Sequence, residues 1–299
     1  ILLAVLVPRT VPADEPRATR RLDVGGLAIA APAVFLVVLP LVLGHEVGWP
    51  VWTFVCIAAG VLLAGIFVPV ERRIAARGGD PLLNLDVLRA PGIAAGLTTL
   101  TCMQVTYGAF LFIFTLHLQA GLGHSALRAG LTYIPMAGTF GLVGFYWRKL
   151  PERIHHALAP IGLAMCALAY VGISVAAHGG TNGGPLMWAA LALDGTGMGL
   201  AVSPLLTQSL VHVPLSHVAD ASGLLTTAVQ LGQVLGVAVF GTVFLSLQPH
   251  PARAFTSAAA LSTTAYWLAL LAVIGLVPAM ALSRTLLRAN RPAGQAGRA

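Results

Sequence analysis

Side chains able to do chemistry are scarce in this sequence, and one of them falls in an unusual place. Asp194 lies near the centre of the stretch from Leu186 to Thr207, which holds no other charged residue. A carboxylate near the midplane of a bilayer costs roughly 2.5 to 3.5 kcal/mol even on lenient insertion scales, so such acids pair, bind a cation or carry a proton. On a helix its stripe continues through Gly197, Met198, Ala201, Leu205 and Gln208, at i, i+3 and i+4 spacing. Gly195, Gly197 and Gly199 permit close approach of a neighbouring helix or a local break, and Pro204 frees a backbone carbonyl. Two readings follow. One is a substrate or ion site at an interrupted helix near the midplane, as transporters build them; the other is a packing surface whose acid is neutral or hydrogen-bonded to a neighbour.

Two further polar stripes fall inside apolar stretches: Thr101, Gln104 and Tyr107, then Thr226, Gln230 and Gln233. Each suits the wall of a cavity, and each equally suits hydrogen bonding between helices, which is worth about 0.6 kcal/mol per contact. Gly232 and Gly236 form a G-x-x-x-G pair, read as helix packing. Enzymatic patterns fail on inspection. His45-Glu46 begins like a zinc-protease motif, but Trp49 stands where its second histidine belongs. His212 and His217 have no helical ligand spacing, and Pro214 lies between them. Cys56, Cys102 and Cys166 each fall in a different apolar segment, so they form neither a disulfide framework nor a C-x-x-C site and read as small core residues. No catalytic residue, metal site or cofactor is expected, and the chain does not read as an enzyme.

The elements that carry these residues follow from composition. With 57% hydrophobic and 9% charged residues and a mean hydropathy of +0.86, too little polar surface exists to cover a water-soluble globule. The sequence predicts an all-α integral membrane protein, because lipid cannot satisfy an open backbone. A net charge of +7 does not point to nucleic acid, since the basic residues are scattered over the connections instead of gathered on one face with aromatics. Eight segments have membrane-spanning length at 1.5 Å per residue. They are A (22–43), B (51–70), C (92–118), D (127–147), E (157–177), F (186–207), G (219–247) and H (261–282). Ile1 to Val7 reads as the end of a ninth, truncated helix, followed by a cytoplasmic loop to residue 21. Residues 71–91 read as a cytoplasmic connector, with Asp80 as N-cap, Pro81 at the first helical position and an apolar face of Leu82, Leu83, Leu85 and Leu88. The basic tail, 284–299, is expected to be disordered and cytoplasmic.

Fifteen of the seventeen Lys and Arg residues fall on one side of these spans, leaving Arg128 and Arg253 on the other. The positive-inside rule puts the first loop, the connector and the C-terminus in the cytoplasm of a multi-pass protein of the cell membrane. Trp49, Trp52, Trp147, Trp188 and Trp267 lie near span ends, as interfacial anchors do.

At the connections the chain resembles a known family. Gly123-His124-Ser125, Ala129-Gly130-Leu131 and Pro135 match the signature G-x-S-x-x-x-A-G-L-x-x-x-P of the fourteen-helix drug:proton antiporters of the major facilitator superfamily. Ala221-Ser222-Gly223, Gln230-Leu231-Gly232, Leu235-Gly236 and Gly241-Thr242-Val243-Phe244 are similar too, as are Arg20-Arg21-Leu22-Asp23 and Pro81-Leu82-Leu83 with Leu88-Arg89. The resemblance implies a partial fold of that superfamily. Residues 22–70 become the two-helix insert between its halves, and 92–283 the C-terminal six-helix half, built as two inverted repeats whose first helices, C and F, line the cavity. The chain departs from the family at Trp147 and Leu150, where relatives have the acid and glycine of a cytoplasmic loop. It departs again at Thr115, His117 and Thr226, where they have Pro, Tyr and Asn.

The implied activity is proton-coupled efflux, or antiport, of amphipathic or cationic drugs by alternating access. Asp194, Gln104, Tyr107, Gln230 and Gln233 are the candidate substrate or proton site, and the implied partners are the lipid bilayer, protons, the substrate and a missing N-terminal half. Export of one endogenous metabolite or antibiotic, or a non-transporting membrane module that needs a partner half, are the alternatives.

Overall fold

In the computed structural model, the described residues are 23–44, 47–77, 79, 92–180, 183–210, 213, 218–248 and 253–289. Among them, regular structure is helical throughout. The α-helices are α1 (Val24–Leu43), α2 (Val51–Ala76), α3 (Ile93–Leu116), α4 (Ala126–Thr132), α5 (Ile134–Tyr146), α6 (Leu158–Ala176), α7 (Gly184–Leu210), α8 (Val218–Leu247) and α9 (Ala254–Ala289). The expectations for residues 1–21, for Asp80 to Leu88, and for His45, Glu46, His212, Pro214 and His217 lie outside the described residues.

Seven of these helices are long and apolar enough to cross a membrane. Segments A, B, C, E, F, G and H supply them, whereas segment D does not form one helix. It divides into α4 and α5 at Tyr133, whose N–H bonds to the Gly130 carbonyl at 3.1 Å in a tightened last turn. Pro135 is the cause: it offers no N–H to the Leu131 carbonyl, and its ring opposes straight continuation of the preceding turn.

Other boundaries moved outward. Helix α2 runs to Ala76, so Glu71, Arg72 and Arg73 extend the helix instead of opening the connector, as their good intrinsic propensity allows. Glu71 is buried there, its side chain close against Gly26 at the start of α1. Helix α9 continues through Arg284 to Ala289, so the first part of the basic tail is helical where disorder was expected; Leu286, Leu287, Arg288 and Ala289 are strong helix formers. Helix α3 ends in a π-turn, His117–Gly121.

The six helical segments from α3 onward pack by exchange. Helix α3 lies against α8 and α9, α7 lies against α5 and α6, and α6 and α9 pack on each other. Small residues make these approaches possible. At Gly236 an added Cβ would collide with the Val105 carbonyl, and at Gly108 it would lie 2.6 Å from the Gln233 carbonyl. Helices α1 and α2 form a separate pair, close-packed where Gly60 meets the Ala33 carbonyl, and touch the rest through α1 and α8. Large apolar side chains such as Phe35, Leu62, Phe145 and Trp267 are exposed, which suits a lipid-facing surface and not an aqueous one.

Candidate functional site

Helix α7 is continuous through Gly195, Gly197, Gly199 and Pro204. The glycines serve contact on two sides instead of a break. Gly195 and Gly199, one turn apart, face α5: a Cβ at Gly195 would run into the Met136 carbonyl, and one at Gly199 would lie 3.0 Å from the Phe140 carbonyl. Gly197 faces α6, where a Cβ would lie 2.5 Å from the Gly162 carbonyl and 2.8 Å from Cys166 Sγ. Thr139 Oγ1 of α5 donates to the Ala192 carbonyl at 2.9 Å, adding a polar tie at the same crossing.

This close packing seals the acid. Asp194 has no exposed surface, and neither carboxyl oxygen has a hydrogen-bond partner. The rest of its stripe, Gly197, Met198, Ala201, Leu205 and Gln208, is buried with it. The nearest polar company comes from α6 and α3. The Cys166 thiol and the Tyr170 hydroxyl lie in the immediate surroundings of the carboxyl, and Tyr107 of α3 is electrostatically coupled to it. Cys166 Sγ also sits 3.7 Å from the Asp194 main-chain carbonyl. Tyr170 is completely buried, its hydroxyl without a hydrogen-bond partner, and its ring lies 5.5 Å from that of Phe110. The buried thiol and hydroxyl are the polar groups beside the buried carboxyl, and with no hydrogen bond of good geometry to it they compensate its desolvation only in part.

Beside this acid a cavity of about 170 Å³ opens between helices. Its walls are Tyr107 and Leu111 of α3, Tyr133 at the α4–α5 junction, Met136, Ala137 and Phe140 of α5, and Met198, one turn along α7 from Asp194. Tyr133 is fixed by its hydroxyl, which lies 2.9 Å from Thr115 Oγ1 and donates to the Leu111 carbonyl at 3.0 Å. A larger cavity of about 710 Å³ runs between α3 and α8, with Leu41 of α1 at its edge and Thr115, Gln233 and Thr242 among its polar groups.

The five candidate site residues therefore separate. Asp194 and Tyr107 are near enough to interact electrostatically, and Tyr107 lines the small cavity while Asp194 does not. Gln233 lines the larger cavity. Gln104 is buried at the α3–α8 crossing, its Cβ 2.9 Å from the space that a Gly232 side chain would need, and its Oε1 has no partner. Gln230 is exposed. Cys166 is the buried core residue expected of it, and neither it nor Tyr170 was expected beside the acid, although Gly162, Cys166 and Tyr170 recur every four residues along one face of segment E.

At the far ends of these helices, positions that depart from the family's pattern make contacts of their own. Trp147 is buried, with the Arg148 guanidinium 5.6 Å from its ring centroid and His155 at 5.2 Å. His117 Nδ1 lies 3.0 Å from Ser257 Oγ, joining α3 to α9.

Seven membrane-length helices with apolar outer faces around a sparsely polar interior define a multi-pass α-helical membrane protein. Residues 6–237 match the Major Facilitator Superfamily, and the chain belongs to that family. It is 35% identical to the probable actinorhodin transporter of Streptomyces coelicolor over 84% of this chain and 44% of that protein. It is 27% identical to the multidrug resistance protein Stp of Mycobacterium tuberculosis over 79% and 44% of the two chains. It is 31% identical to the cephamycin export protein CmcT of Amycolatopsis lactamdurans over 78% and 48%. The chain spans about half the length of the curated relatives it matches.

Proposed function

We propose that these helices form one side of a proton-coupled exporter of amphipathic or cationic drugs that works by alternating access in the cell membrane, C-terminus inward. The observation that carries the reading is the Asp194 carboxyl, buried at mid-span with no hydrogen-bond partner and one helical turn from a cavity-lining residue. A carboxylate there must have its charge cancelled by a proton or by a cation. Two occupants competing for one carboxyl give antiport directly: a proton arriving from outside displaces a cationic cargo, and the two states of the acid bias the two conformations of the helix bundle.

The packing pattern supports placing 92–283 as a six-helix half. The first helix of each three-segment repeat, α3 or α7, lies against the second and third segments of the other, the arrangement that two exchanged repeats produce. Helices α1 and α2 are then the inserted pair, and a second bundle of similar size faces the cavities.

The test is Asp194→Asn in the full protein, assayed in cells and in proteoliposomes with an imposed pH gradient. Efflux of cationic drugs is expected to fall at least tenfold, with loss of the proton flux that drug addition evokes. Unchanged resistance and unchanged proton-coupled efflux would remove Asp194 from the mechanism. A second reading, export of a single endogenous antibiotic, is favoured by the similarity to a probable actinorhodin transporter and to a cephamycin export protein, each named for one product. A narrow substrate range in a panel of unrelated drugs would select it.

A further inference from the structure

The two cavities differ in chemistry, and the difference bears on cargo. The larger one is walled mainly by valine, alanine, glycine, leucine and threonine, with Phe112 as its one aromatic ring. The small one gathers three aromatic rings, Tyr107, Tyr133 and Phe140, and two methionines, Met136 and Met198. We infer that the small cavity is a binding subsite for a flat aromatic group of one or two fused rings bearing a hydroxyl. The inference rests on the exporter reading above and names a class of cargo for it.

Size comes first. An apolar cavity of about 150 Å³ accommodates benzene, so about 170 Å³ takes one ring with a small substituent. Ala137 and Phe140 are exposed at its edge, so a second fused ring extends outward between them. Shape and polarisability come next. Aromatic walls favour offset or edge-on rings, and thioether sulfurs make favourable contacts with ring edges while their flexible chains adapt to ring outline. A saturated ring of the same outline gains neither. The polar handle is Tyr107. The other lining hydroxyl, on Tyr133, is already bonded to Thr115 and Leu111, whereas that of Tyr107 makes no hydrogen bond among the described residues. It lines the cavity and interacts electrostatically with Asp194, so a cargo hydroxyl bonded to it registers in the environment of the acid.

The experiment measures binding, not transport. The full protein in lipid nanodiscs is titrated with 2-naphthol, with decahydro-2-naphthol and with naphthalene, against empty nanodiscs to remove partition into lipid. Saturable 2-naphthol binding is expected, at least tenfold tighter than decahydro-2-naphthol. Ala137→Phe, and the milder Ala137→Leu in case the first misfolds, fill the cavity from its rim and should weaken 2-naphthol at least tenfold. Tyr107→Phe should weaken 2-naphthol three- to tenfold and leave naphthalene unchanged, a difference that a purely structural effect does not produce. Binding indistinguishable from empty nanodiscs, equal affinity for the saturated analogue, or indifference to both Ala137 variants would overturn the subsite. If 2-naphthol binds as expected while efflux ignores Asp194→Asn, the acid's role fails and the subsite stands. If efflux depends on Asp194 while both Ala137 variants bind normally, only the subsite fails.

Discussion

A buried carboxyl with no partner costs a fold stability, and that sign separates the two roles open to Asp194. If the acid were a packing element, its replacement would leave a hole among Cys166, Tyr170 and Gly197 and would destabilise the bundle. If it is kept for proton or cation binding, an apolar residue of comparable size relieves a desolvation compensated only in part. Asp194→Leu is therefore expected to raise the thermal midpoint in detergent while abolishing coupled efflux, in line with a stabilisation of about 1 to 3 kcal/mol. A lower midpoint would return the acid to the structural reading. Gly197 makes the opposite case. Its missing Cβ would lie 2.5 Å from the Gly162 carbonyl, a main-chain atom that cannot swing aside. Gly197→Ala should cost about 1 to 3 kcal/mol by overpacking, whereas Gly130→Ala, with nothing within 4 Å of the added carbon, should not destabilise. Thermal unfolding of the pair, with equal loss in both, would show that close contact is not what the glycine in α7 provides.

Among the elements, the α4–α5 junction is tied to α3 by the Tyr133 side chain. Helix α4 is seven residues long, Leu127 and Leu131 on it are exposed, and the hydroxyl of Tyr133 ties the junction to α3. Tyr133→Phe keeps the ring against Phe110 and Phe114 and removes only the tie, at about 0.5 to 1.5 kcal/mol for each hydrogen bond. Hydrogen exchange over Ala126 to Tyr133 should accelerate roughly tenfold, with α6 and α7 unchanged; equal protection in the variant would show that Pro135 geometry alone sets the junction. This element also marks where sequence reading stops. Long apolar runs made seven helices legible, because lipid-facing length and hydrogen-bond closure leave few alternatives. Pro135 was visible but was absorbed into a family signature, and a helix break depends on whether neighbours compensate for it. Asp194 and Tyr107 were legible as rare polar groups in apolar stretches. Tyr170 and Cys166 were not joined to them, since which face of α6 meets α7 is fixed by the Gly162–Gly197 crossing, a pairing that one sequence does not contain.

At the scale of the whole molecule, orientation decides which solution reaches the small cavity. Tyr133 and Met136 lie one to two turns from Arg128, while Trp147, Arg148 and Lys149 sit at the opposite end of α5. The orientation proposed from the charge bias, with fifteen of seventeen basic residues on one side, has Arg128 outside and Lys149 inside. Lys149 Nζ lies 4.5 Å from the Tyr146 ring centroid and the Arg148 guanidinium 5.6 Å from that of Trp147, so this end of α5 is held by cations over aromatic rings. On that orientation the cavity lies toward the outer end of the bundle, the side on which the proposed exchange releases cargo and admits a proton. Single cysteines test this in a background with Cys56, Cys102 and Cys166 replaced. Arg128→Cys should react with a membrane-impermeant maleimide on intact cells, and Lys149→Cys only after permeabilisation. The reverse pattern would invert the molecule. It would put the aromatic cavity toward the cytoplasmic face, and the direction of the exchange proposed at Asp194 would have to be assigned anew.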